Sequence, residues 1–157
     1  QRFSRSGTIV SPVDIHIYKQ NIEIRTVLEG LAGELAAERI TAEELAALAE
    51  ILARVNELKE QDDENLKELM QCEFDFHNLV YVATHNPKLI DVLHELQGVS
   101  ARFWHYQIFS KQELLDQFID HSVVVDALAK GDGQAAGEAL KNHVQKVLKK
   151  LSDKVLQ

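Results

Sequence analysis

Apolar residues recur three and four positions apart along almost all of this 157-residue chain, and no stretch alternates apolar and polar residues long enough to make a strand. That pattern confines the chain to helices packed through apolar stripes. Only two prolines, Pro12 and Pro87, occur, and with the seven glycines they read as punctuation at the ends of periodic segments. The first helix opens at Ser11-Pro12 and runs to Arg39, with Ile24, Leu28, Leu31 and Leu35 on one face. The second starts at Thr41, where Thr41-Ala42-Glu43-Glu44 spells a capping box, and its apolar positions Leu45, Leu48, Leu52 and Val55 carry it to Lys59. A third spans Leu66 to Thr84. Asn86-Pro87 stops it and starts a fourth, which reaches Phe109. Ser110 caps a fifth, to Lys130, and Gly131-Asp132-Gly133 breaks the chain before a sixth that ends at Leu156. The expected fold is all-α, an antiparallel bundle of about six helices joined by short turns.

Length and charge narrow the function. A chain of this size buries a core as one domain without disulfides, and its single Cys72 fits a reducing cytosol. With 17 basic against 25 acidic residues the net charge is -8, so this domain itself is a poor partner for nucleic acid. No run approaches the roughly 20 apolar residues of a membrane span, and the polar start is no signal peptide. A cytoplasmic protein with no membrane partner is expected.

Three of the inward stripes contain polar residues. The third helix would bury Leu66, Leu69, Met70, Glu73, His77, Val80 and Thr84, so Glu73 and His77 stand one turn apart on an apolar face. The fifth has His121 within Leu114, Phe118, Val125 and Leu128, and the sixth has His143 within Ala136, Leu140, Val147 and Leu151. Burying even a neutral polar group without a partner costs ~2 to 7 kcal/mol. A divalent metal would offset that for all four groups, since imidazole and carboxylate are ligands of zinc, nickel, manganese or iron. Separate hydrogen bonds from each histidine would do so without a metal. The other histidines serve as controls: His85 sits at a helix end, His16 and His105 near segment boundaries, and His94 beside the stripe Leu89, Leu93, Leu96. They are expected to be solvated or only partly buried.

The segments Glu73-Phe74-Asp75-Phe76-His77, Ala83-Thr84-His85-Asn86-Pro87-Lys88-Leu89, Asp120-His121 with Asp126-Ala127-Leu128, Gly131-Asp132 and Asn142-His143-Val144 follow one another in a recognisable order. Together they resemble the FCD effector domain, the FadR C-terminal type, of the GntR family of transcription regulators. The resemblance runs from Tyr18 to Leu148. Glu23-Ile24-Arg25-Thr26-Val27-Leu28-Glu29, with Ala36-Ala37 beyond, is similar to the first helix of such domains. Arg5-Ser6-Gly7-Thr8-Ile9-Val10 looks like the last strand of a winged helix-turn-helix wing. The resemblance therefore implies that residues 1–12 are the remnant of a wing strand and linker from a missing DNA-binding domain. Residues 13–157 then form a helical effector-binding and dimerisation domain.

In that family the bundle holds a metal through Asp, His, His and His beside a pocket for a small organic acid. Carried over by position, the ligands are Glu73, His77, His121 and His143, with Glu73 standing where aspartate is usual. Asp75, two residues before His77, faces elsewhere on a helix. The implied cofactor is a divalent ion, zinc foremost, with nickel, manganese or iron as alternatives. Arg25 matches an arginine that often lines the effector pocket, although the residues alone also allow a surface pair with Glu29 at i+4. Arg102, followed by Phe103 and Trp104, is the second effector-binding candidate.

The function so implied is non-enzymatic. A homodimer senses a small carboxylate metabolite, and binding modulates operator recognition by the missing winged helix-turn-helix domain alone. Two other readings of the same residues stay open. One is a helical-bundle metalloenzyme of hydrolase type, in which three histidines and a carboxylate leave an open position that activates water. The other is a metal-free structural dimerisation module.

Overall fold

The structure, a computed structural model, describes residues 15–61, 65–106 and 110–155. Those residues hold six helices and no strand: α1 (Ile15–Arg39), α2 (Ala42–Lys59), α3 (Leu66–Ala83), α4 (Pro87–Tyr106), α5 (Lys111–Ala129) and α6 (Gly133–Val155). The expected all-α bundle is present. The segment 1–12, read as wing and linker, lies outside the described residues.

The helix boundaries follow from local chemistry. Thr41 Oγ1 accepts from the Glu44 N–H at 3.1 Å while Glu44 Oε2 accepts from the Thr41 N–H at 2.9 Å, which is the anticipated capping box. Ser110 forms a second one with Glu113, at 3.2 and 2.8 Å. Asn86 Oδ1 accepts from the Leu89 N–H at 3.3 Å and so caps α4. At the end of α5, Gly131 turns left-handed (φ 66°), and Asp132 then caps α6 by accepting from the Ala135 N–H at 3.0 Å.

Not every glycine is punctuation. Gly30, Gly33, Gly98 and Gly137 lie inside helices, and two of them set how closely α1 approaches α6. A Cβ on Gly33 would stand 2.7 Å from the Gly137 backbone nitrogen, and one on Gly137 would stand 2.7 Å from the Gly30 carbonyl oxygen. Backbone atoms cannot yield as a flexible side chain does, so this crossing requires glycine. The consequence is positional, because α1 also packs on α3, α4 and α5 and thereby meets every helix that carries a candidate ligand.

The face of α1 differs from the expected one. Tyr18, Ile22, Arg25, Glu29, Ala32 and Ala36 are buried, whereas Ile24 is 55% exposed and Leu31 40%; Leu28 and Leu35 are half-buried. Hydrophobicity identified a real stripe but assigned it to the wrong side, because the inward side carries a buried ion pair that looks like a surface one. Elsewhere the apolar interior forms two larger clusters. One is built around Leu58, Leu69, Leu114 and Phe118, the other around Leu48, Phe76, Val80, Leu128 and Leu140. Phe76 stacks on His121 at 4.0 Å between centroids and Phe118 meets it edge-on at 4.9 Å, so that imidazole sits where the two clusters join.

Candidate metal centre

Glu73 and His77 project from one side of α3, His121 from the middle of α5 and His143 from the middle of α6. Their side chains converge, and one nitrogen or oxygen from each lies within 4.8 Å of all the others. Glu73 Oε1 is 3.2 Å from His77 Nε2 and 3.3 Å from His143 Nε2, and Glu73 Oε2 is 3.4 Å from His121 Nε2. His77 Nε2 and His143 Nε2 are themselves 3.3 Å apart. The three imidazoles are 0 to 2% exposed. By contrast His16, His85 and His94 are exposed, as their positions implied, and the side chain of His105 lies outside the described residues.

Hydrogen bonding alone does not satisfy this cluster. Neither ring nitrogen of His121 has a hydrogen-bond partner, and neither does Glu73 Oε2, although all three atoms are buried. Of these, His121 Nε2 and Glu73 Oε2 lie 3.4 Å apart within the cluster. Ligands bonded at roughly 2.0 to 2.2 Å to one first-row ion must stand roughly 2.8 to 3.6 Å apart. The spacings of 3.2 to 3.4 Å fall in that interval, so the residues fit a divalent ion. Carboxylates stand behind two of the histidines, as they do behind many metal-ligating imidazoles. Glu29 Oε1 is 3.2 Å from His77 Nδ1, within ion-pair range though off the line of a straight hydrogen bond. Asp120 Oδ2 is 3.9 Å from His143 Nδ1.

The electrostatics of the cluster follow from burial and neighbours. Burial opposes ionisation of Glu73, yet the adjacent imidazoles, His121 first among them, hold its pKa well below the usual carboxylate range. Burial likewise works against charge on His77, but Glu29 and then Glu73 raise it to about 9. For His121 the Glu73 carboxylate compensates only in part, and burial, reinforced by His143 and His77, pushes it well below the ordinary histidine value. Asp120 falls to about 2 through the nearby His143 imidazole, against some burial, and with help from its hydrogen bond with Lys146.

A cavity of about 590 Å³ opens beside Glu73 and His77, walled by α3, α4 and Arg25 of α1. The guanidinium of Arg25 is buried, and it does pair with Glu29 at i+4, but inside the protein. Nε lies 2.9 Å and Nη2 2.8 Å from Glu29 Oε1, and Nη2 also donates to the Tyr81 hydroxyl at 3.3 Å. Tyr81 in turn donates a short hydrogen bond to Glu29. Glu29 and Tyr81 were not singled out from sequence, and only the i, i+4 spacing of Arg25 and Glu29 hinted at either. The side chain of Arg102, the other proposed effector contact, lies outside the described residues.

The FCD domain family matches residues 20–146. Among solved structures, the chain is similar to McbR/YncC of E. coli, at 22% identity and a TM-score of 0.79, over 93% of this chain and 69% of that one. It is also similar to a GntR-family transcriptional regulator from Pseudomonas syringae pv. tomato, at 20% identity and a TM-score of 0.72, over 98% of this chain and 63% of that one. A metal-free FCD domain aligns at 19% identity with a TM-score of 0.69, over 88% of this chain and 93% of that domain. The chain thus spans about two thirds of the two regulators and nearly all of the isolated domain. No curated protein matches it.

Proposed function

The chain belongs to the FCD domain family, a family of transcription regulators and not of enzymes, and from that premise we propose that it senses an organic acid with the help of a bound divalent ion. Glu73, His77, His121 and His143 would hold the ion, zinc first among the candidates, and the ion would offer a Lewis-acidic anchor to a carboxylate. Arg25 borders the same cavity as a second anchor. The observation that carries this reading is the convergence of three buried imidazoles and the partly buried Glu73 carboxylate, with atoms of His121 and Glu73 unsatisfied by protein, on the edge of a cavity large enough for a metabolite.

A ligand can act on distant DNA-binding domains only through different affinity for two arrangements of them. We place operator recognition in a winged helix-turn-helix domain outside this chain, joined through residues 1–12, and the whole regulator in the cytoplasm. No helix among the described residues is long and apolar enough to cross a membrane. Elemental analysis of purified protein, followed by thermal-shift measurements with organic acids, tests the sensor. A bound divalent ion and an acid-dependent rise in melting temperature, reduced in Arg25→Ala with the ion retained, are expected. Failure of every acid to shift the metal-loaded protein would remove the sensor reading.

The outward stripe of α1 supports the homodimer. Ile17, Ile24, Val27 and Leu31 are 40 to 65% exposed and follow the three-and-four spacing of a helix-pairing seam. Light scattering of the parent should give twice the chain mass, and the Ile24→Asp/Val27→Asp variant should give a folded monomer. A parent that is monomeric at tens of micromolar, or a variant that stays dimeric, would speak against this face.

A further inference from the structure

The cavity beside Glu73 contains more information than the position of an acid. We infer that the effector is a monocarboxylate with an apolar body and a hydrogen-bond donor of its own, such as a hydroxyl. This rests on the organic-acid reading above and specifies it.

The first argument is charge. Histidines that ligate a metal are neutral, so the buried charges at the inner end of the cavity are those of the ion, Glu73, Glu29 and Arg25. A divalent ion and Arg25 bring three positive charges, and the two carboxylates bring two negative ones. Asp120 is answered separately by Lys146 at 2.6 Å. One positive charge is therefore left over, and one carboxylate neutralises it; a second would be buried without a counter-charge. Arg25 adds no further counter-charge, because its single positive charge is already counted against Glu29, with which it pairs at 2.8 Å. Lys67, the other cation in the wall, is exposed and already hydrated.

The second argument is the wall. Leu66, Met70 and Phe74 of α3 and Ala101 of α4 give the cavity an apolar side. Its volume of about 590 Å³ lies within the roughly 300 to 1,000 Å³ typical of sites for drug-sized ligands. An acid of two or three carbons would leave most of that surface wet.

The third argument is Gln97, which lines the cavity and is only 5% exposed. Its Nε2 donates to the Phe74 carbonyl at 3.4 Å, which fixes the amide orientation, since the reversed amide would set oxygen against oxygen. The amide oxygen Oε1 is left buried and without a partner. A hydroxyl or N–H on the ligand would satisfy it.

Calorimetric titration of the zinc-loaded protein with acetate, octanoate, 3-hydroxyoctanoate and octanedioate separates these requirements. Octanoate is expected to bind about tenfold or more tightly than either acetate, which lacks the apolar body, or octanedioate, which adds a second charge. 3-Hydroxyoctanoate should bind more tightly than octanoate, and Gln97→Leu should remove that difference. Octanedioate matching or exceeding octanoate, or acetate equalling it, would overturn the inference and leave the organic-acid sensor standing. A hydroxyl that gains nothing, or a gain that survives Gln97→Leu, would overturn the donor requirement. Binding of none of the four, nor of citrate, would overturn both.

Discussion

Replacing His121 with leucine is expected to abolish divalent metal binding and at the same time to raise the melting temperature of the metal-free protein. The opposite signs come from one geometry. In the absence of an ion, His121 is fully buried, holds two ring nitrogens without hydrogen bonds and lies against Phe76 and Phe118. An unsatisfied buried polar group costs about 1 to 3 kcal/mol, and an apolar side chain of similar volume removes that cost. With the ion present the same nitrogen becomes a ligand, and its loss removes a stabilisation that grows with free metal, about 4 kcal/mol at a thousandfold excess over Kd. His143→Ala should also release the metal, but it leaves a void next to Val144 and Val147 and should lower stability in both states. Metal content by elemental analysis, with melting curves taken before and after chelation, checks both variants. Full metal retention in both would refute the ligand assignment. A metal-free His121→Leu protein less stable than the parent would show that this imidazole is satisfied after all.

Much of the fold could be read in advance, because its signals are local. Thr41 with Glu44, Asn86 with Pro87, and Ser110 each act within one turn of chain, and each stands where a helix begins. Glu73, His77, His121 and His143 were legible for a related reason. Each interrupts an apolar stripe, so the cost of burying it marks it before any partner is known. The signal failed on α1. There the buried face has charged and small residues, Arg25, Glu29, Ala32 and Ala36, while Ile24 and Leu31 point outward. A rule that places the most apolar face inward selects the exposed side of such a helix. Gln97 could not be found from sequence either, since its importance comes from an unmatched oxygen between α3 and α4 and not from any pattern along the chain.

Glu29 supports the second large effect. Its side chain is completely buried and faces the Arg25 guanidinium, the Tyr81 hydroxyl and, at 3.2 Å, His77 Nδ1. Burial alone would raise its pKa, but His77 and Arg25 together hold it far below the usual carboxylate range, so it is ionised in the folded protein. Glu29→Ala therefore leaves Arg25 buried without its counter-ion, an error that costs about 3 to 5 kcal/mol. Arg25→Met alone leaves the carboxylate facing His77 and should cost less. The double variant Arg25→Met/Glu29→Leu removes both charges and should recover most of the loss, short of about 1 to 3 kcal/mol for the Tyr81 hydroxyl left without its acceptor. Denaturant unfolding of the parent, both single variants and the double gives the coupling energy directly. Metal affinity supplies an independent check. Without the carboxylate behind it, His77 loses the group that orients its ring, so every variant lacking Glu29 should bind the ion about 10 to 100 times more weakly. Strictly additive stabilities across the cycle would show that Glu29 does not neutralise Arg25, and unchanged metal affinity in the double variant would show that it does not position His77.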